Sequence, residues 1–132
     1  MSERKQLSDL QIAILRVLWQ AREATVAQVQ DALALAGRDL AHTSVATMLS
    51  RLETRGVVAR RTEGRQFVYR PLLAERDVKR SMVSALTERL FAGDPTALVH
   101  HLIDEGAIDA DELARLRALL ASRPQATEDD HA

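Results

Sequence analysis

Residues 43–71 read TSVATMLSRLETRGVVARRTEGRQFVYRP, and the fold turns on this stretch. Val45, Met48, Leu49 and Leu52 recur at helical spacing. At about 100° per residue they fall on one side of a helix. Thr43, Thr47, Ser50, Arg51 and Thr54 fall on the other. Hydroxyls and a guanidinium are the groups a helix uses to touch base edges and phosphates. Gly56 stands where a helix would end in a left-handed cap. Val57-Val58 and Phe67-Val68-Tyr69 are β-branched or aromatic runs that read as strands. Between them, Arg60-Arg61-Thr62-Glu63-Gly64-Arg65 reads as a turn carrying three arginines. Helix, glycine, strand, basic turn and strand, in that order, are the sequence form of a winged helix-turn-helix.

Upstream, Ser8 is an N-cap with Gln11 at the third helical position, the spacing of a capping box. Leu7 and Ile12 are placed to staple that end. The first helix is expected to run to about Gln20. Leu10, Ile14, Leu15, Leu18 and Trp19 make it too apolar for a surface helix, and Trp19 reads as a core anchor. Residues 21–24 read as a connector. Thr25 and Gln28 repeat the capping-box spacing at the start of a second helix, whose apolar face is Val26, Val29, Leu33 and Leu35. Ala36-Gly37 ends it, and residues 38–42 turn into the helix quoted above. Two helices joined by a short turn make a helix-turn-helix, whose second helix is the one that enters a major groove.

Downstream, Pro71 stops the strand and the character changes. Residues 75–91 carry Val78, Met82, Val83, Leu86 and Leu90 on one stripe. Gly93-Asp94-Pro95 breaks that helix and starts another, with Leu98, Val99, Leu102 and Ile103 as its stripe. Glu105-Gly106 ends it. Asp109 with Glu112 opens the last helix, which carries Leu113, Leu116, Leu119 and Leu120. About fifty residues is marginal for an independent core. A second copy of the same helices would complete one. Residues 72–123 are therefore expected to be a helical dimerisation region, with Val78, Met82, Leu86, Leu90, Leu98, Leu102, Leu113, Leu116 and Leu120 in the interface. The competing expectation is that they fold back on the winged-helix core. The predicted class is mainly α with a small β-hairpin wing: residues 1–71 a winged helix-turn-helix domain, 72–123 the dimerisation region, 124–132 a flexible tail.

The net charge of the whole chain is −1, which favours no partner, but the distribution is uneven. Residues 38–70 hold Arg38, Arg51, Arg55, Arg60, Arg61, Arg65 and Arg70 against Asp39, Glu53 and Glu63. The half that follows is acidic. A basic middle suits a nucleic-acid face confined to one region. The chain has no cysteine, so disulfides and thiolate metal sites are excluded. Its first residues, MSERKQL, lack an apolar signal core and form a basic arm; no apolar run approaches the ~20 residues of a membrane span. A cytoplasmic protein without membrane insertion is expected.

No enzyme chemistry has a starting residue. His100 and His101 are adjacent, so they point about 100° apart on a helix and share no metal face; His42 and His131 stand alone. There is no HExxH, no Gly-rich phosphate loop and no nucleophile elbow. No catalytic residue, metal site or cofactor is expected.

With these residues read, the chain resembles the BlaI/MecI penicillinase-repressor family over about residues 7–121. In that family a Thr-rich recognition helix ends in Arg-Leu and a Gly, followed by a wing with Gly-Arg and then Tyr-x-Pro. The matching residues are Thr43, Arg51-Leu52, Gly56, Gly64-Arg65 and Tyr69-Arg70-Pro71. Residues 7–20, LSDLQIAILRVLWQ, resemble the family's first helix; LVHHLIDEG and LARLRALL resemble its dimerisation half. The resemblance implies a dimeric winged-helix repressor on a palindromic DNA operator. It also implies a partner, a membrane-bound sensor metalloprotease whose signal leads to cleavage of the repressor. The family's cleavage point is an Asn-Phe bond in the second helix of the dimer region. The matching positions here are His101 and Leu102, a departure from that pair. Copper-regulating members carry a cysteine metal motif, which this chain lacks.

The sequence thus favours a homodimeric transcriptional repressor, relieved by proteolysis after a β-lactam or cell-envelope signal. Thr43, Ser44, Thr47 and Arg51 are expected to read DNA, and Arg61 and Arg65 to hold phosphates from the wing. The alternative is a winged-helix protein–protein adaptor that binds no DNA, which would have no need of three arginines at the wing tip. A third reading, a small-molecule sensor with a pocket between the halves, finds only two Phe and one Tyr to line it.

Overall fold

A computed structural model describes residues 6–124. The elements in order are α1 (Asp9–Ala21), β1 (Ala24–Thr25), α2 (Val26–Leu35), α3 (His42–Thr54), β2 (Val58–Glu63), β3 (Gln66–Pro71), α4 (Glu75–Phe91), α5 (Pro95–Asp104) and α6 (Ala110–Ser122). The basic arm up to Lys5 and the tail beyond Pro124 lie outside the described residues. The chain forms two compact units, the first ending at Ser81 and the second starting at Met82.

In the first unit local chemistry sets the helix ends. The Gln11 amide N–H donates to Ser8 Oγ at 3.1 Å while the Ser8 N–H donates to Gln11 Oε1 at 3.0 Å, a closed capping box. Thr25 and Gln28 do the same for α2. At the end of α3 the Val57 N–H donates to the Leu52 carbonyl and the Gly56 N–H to that of Glu53, with Gly56 at φ +79°. That 6→1 and 5→2 pair leaves the helix in a left-handed residue, where a Cβ costs roughly 1–2 kcal/mol.

The three helices and the sheet enclose one core. Ile14, Leu15 and Leu18 of α1, Val29 and Leu33 of α2, and Val45, Leu49 and Leu52 of α3 are buried together with Val57, Val58 and Tyr69. Trp19 lies against this core half-buried, its indole N–H donating to the Leu73 carbonyl at 2.9 Å. Leu35 does not join the face expected of it. It is 91% exposed in the last turn of α2, where the helix has turned it away from Val29 and Leu33. Leu49→Ala should therefore cost about 2–5 kcal/mol, a large part of a small domain's stability, while Leu35→Ala should change it by less than about 0.5. Urea unfolding curves of the two variants check this.

The sheet is antiparallel with strand order β1-β3-β2. Two sequence expectations change here. Ala24, read as the end of a connector, and Thr25, read as the cap of α2, also form a strand paired through Ala24–Tyr69 and Thr25–Val68. The hairpin also extends further than its apolar residues suggest. Glu63 pairs with Gln66, so the turn is only Gly64-Arg65, and Arg60 and Arg61 lie on β2 rather than in a turn. Gly64, at φ +64°, takes the first of the two turn positions, where a tight hairpin favours a residue without a Cβ. The first unit also keeps residues beyond Pro71, where the sequence places the start of the C-terminal half. The Leu72 N–H donates to the Val57 carbonyl at 2.8 Å, Leu73 receives Trp19, and Val78 is buried.

In the second unit the expected punctuation holds: Asp94 caps α5 with Pro95 at its first position, and Asp109 and Glu112 close a capping box on α6. Among the described residues of this unit no hydrophobic side chain is fully buried. Neither α5 nor α6 has a buried residue, and Met82, Val83, Leu86, Leu90, Leu116, Leu119 and Leu120 are all exposed.

Candidate nucleic-acid interface

Helix α3 follows α2 through residues 36–41, the geometry of a helix-turn-helix. Burial of Val45, Leu49 and Leu52 fixes which side of α3 faces out. Thr43, Ser44, Thr47 and Arg51 are all on that exposed side. Thr43, Thr47 and Arg51 are four residues apart, so successive Cβ atoms lie roughly 5–6 Å from each other along one stripe. Among the described residues Arg51 makes no ion pair or side-chain hydrogen bond, so its donors are uncommitted.

The basic excess of residues 38–70 is smaller in effect than in count. Arg60 Nε lies 3.3 Å from Glu53 Oε2, and its guanidinium stacks 4.0 Å from the centre of the Phe67 ring. Arg55 donates to Gln11 Oε1 and to the Gln6 carbonyl, tying the end of α3 to the start of α1. Arg61 Nη2 donates to Glu23 Oε2 at 2.9 Å and its Nη1 to Glu63 Oε1 at 3.2 Å. Glu23, first by its hydrogen bond and then by its charge, raises the Arg61 pKa above the usual arginine value, with Glu63 adding to it. Arg65 is alone at the wing tip, exposed, and pairs with no acid among the described residues. The three-arginine tip of the sequence expectation is thus one arginine at the tip and two along β2.

Glu23 is the residue that sequence reasoning missed. It stands in the connector before β1, and only the register of β1 on β3 brings it beside Arg61, which lies opposite Val68 on β2. No local sequence signal reports a pairing across three strands.

The C-terminal site residues fall in the second unit, apart from Val78. Met82, Leu86, Leu90, Leu116 and Leu120 are exposed, whereas Leu98, Leu102 and Leu113 are half-buried. Val78, which belongs to the first unit, is buried in the single chain. His101 and Leu102 lie inside α5, with the His101 ring 5.8 Å from that of Phe91. His100 faces Asp104 at 3.4 Å. Among the described residues no group of three or more His, Asp or Glu is placed to hold a metal ion, and no helix is long and apolar enough to cross a membrane.

Residues 7–122 match the Penicillinase repressor family. The chain belongs to that family. It is 38% identical to the transcriptional regulator BlaI of Mycobacterium tuberculosis, over 91% of this chain and 88% of that one. It is 25% identical to the penicillinase repressor of Bacillus licheniformis, over 87% and 89%. Among solved structures, the DNA-binding domain of the repressor BlaI is 30% identical, with a TM-score of 0.50, and covers 58% of this chain and 93% of its own. A complex structure of hsRosR-S1, 19% identical with a TM-score of 0.57 over 91% and 94%, shares the fold. This member of the penicillinase repressor family has the mainly α architecture with a small antiparallel sheet that its first helices and hairpin imply.

Proposed function

We propose that this penicillinase repressor family member is a DNA-binding transcriptional repressor that acts as a homodimer on a palindromic operator. The observation that carries this is the exposed stripe Thr43–Thr47–Arg51 on the second helix of a helix-turn-helix, in the same unit as a wing tipped by Arg65. In the complex, Thr43, Ser44, Thr47 and Arg51 touch bases and their adjoining phosphates, and Arg65 and Arg61 hold phosphates from the wing. Family membership supports the repressor reading over a protein–protein adaptor, which has no use for an uncommitted Arg51 and Arg65.

Dimerisation uses the exposed leucines of the second unit, where α5 and α6 lack a core of their own. Large apolar side chains left exposed in this number support an interaction surface. The setting is the cytoplasm, beside DNA. Relief comes from a membrane-bound sensor metalloprotease that answers a β-lactam or cell-envelope signal; His101–Leu102 stands at the family's cleavage position but departs from its Asn-Phe pair. That bond lies in the middle of α5, so cleavage requires the helix to open locally.

Fluorescence anisotropy tests the DNA reading. A duplex from upstream of the protein's own gene should bind about 10³-fold or more tighter than a scrambled duplex at physiological salt. Equal affinity for both would favour an adaptor.

A further inference from the structure

Two arginines of the wing, Arg65 and Arg61, differ in how far they are already engaged. Arg65 sits at the turn with no acid on it among the described residues. Arg61, four residues earlier on β2, is held by two carboxylates, Glu23 at 2.9 Å and Glu63 at 3.2 Å. All three side chains are about half or more exposed, at 49%, 48% and 65%. Exposed pairs of this kind are worth only about 0–1 kcal/mol, so a phosphate can take the guanidinium from them. The exchange still has a cost, because the two carboxylates stay beside the incoming phosphate as like charges.

We propose that Glu23 sets the DNA affinity of this protein by competing with phosphate for Arg61. The inference rests on the DNA-binding reading and goes beyond it by assigning a role to a residue outside both the recognition helix and the wing. Glu23 is joined to the wing only through β1. The strand pairs Ala24 with Tyr69 and Thr25 with Val68, and Val68 is the partner of Arg61 across the hairpin. The short β1 strand, whose Ala24 is buried in the core and whose Thr25 caps α2, thereby also carries an acid to the wing. Arg65 is the constant phosphate ligand and Arg61 the conditional one.

The test is Glu23→Gln, which keeps size and polarity and removes the charge. Isotherms on the upstream and scrambled duplexes, at several salt concentrations, should show roughly threefold tighter binding per subunit, on the order of tenfold on a full site. Both duplexes should gain alike, with a salt slope steeper by up to about one per subunit as Arg61 becomes a full-time phosphate ligand. The gain should vanish when Glu23→Gln is made in an Arg61→Ala background, a dependence that a purely structural role would not produce. Weaker binding with an unchanged slope would mean that the pair only fixes the wing, and would overturn the proposal. So would a gain that survives Arg61→Ala, which would be a general charge effect. Thermal unfolding of the variant, expected to match the parent, keeps misfolding out of the comparison. If the parent bound neither duplex, the DNA reading itself would fail, a result distinct from either of these.

Discussion

Leu86→Asp combined with Leu116→Asp should yield a folded monomer without most of the parent's operator affinity. Leu86 is 42% exposed and Leu116 45% exposed in the single chain, so a carboxylate at either site stays in water and leaves the first unit's core untouched. In a dimer the same positions would be covered. An unpaired charge buried in an apolar interface costs several kcal/mol, and a two-fold interface meets each substitution twice. Two linked reading heads bind a double site about 10²–10⁴-fold tighter than one head alone, and the monomer should bind more weakly by that factor. Sedimentation equilibrium gives the mass, and binding isotherms the affinity. A variant that stays dimeric would place the interface elsewhere.

The second large effect separates reading from holding. Arg51 extends the stripe of Thr43 and Thr47 on α3, with uncommitted donors. Arg51→Ala should cost about 1–3 kcal/mol for each base that the guanidinium reads, and should relax preference at one position in each half-site. On a full palindrome that cost is incurred twice. Arg65→Ala removes a guanidinium from the wing tip, where the hairpin turn points it outward. It should weaken specific and scrambled duplexes alike and make the salt slope shallower by about one per subunit. Competition binding against duplexes with single base changes, repeated at several salt concentrations, resolves the two. If Arg65→Ala altered base preference while Arg51→Ala altered only the slope, the roles would be exchanged.

How far this protein can be read from its sequence depends on where the information lies. Helix ends are written locally. Ser8 with Gln11, Thr25 with Gln28 and Asp109 with Glu112 are pairs three residues apart, and each closes the box its spacing implies. The recognition helix is legible for the same reason, because a buried stripe at helical period fixes which residues are left outside. The strand β1 is not. Two residues carry no period, and Ala24–Thr25 is a strand only because β3 lies beside it. Past Val58, strand β2 is polar and largely exposed, so Arg60 and Arg61 read as a turn although the ladder runs on to Glu63. Glu23 is hidden for the same reason, since its partner is set by register across the sheet. Leu35 shows the opposite error, an apolar residue at the ragged end of a helix counted with a face it does not join.

Hydroxyl-radical footprinting of the unaltered protein on the DNA upstream of its gene tests the central claim most directly. A dimer that places two α3 helices in successive major grooves should protect two short patches related by a dyad. They should lie one helical turn, about 10–10.5 base pairs, or a multiple of it apart, with flanking protection from the wings. Protection of a single patch, or none at any concentration that saturates nonspecific binding, would contradict it.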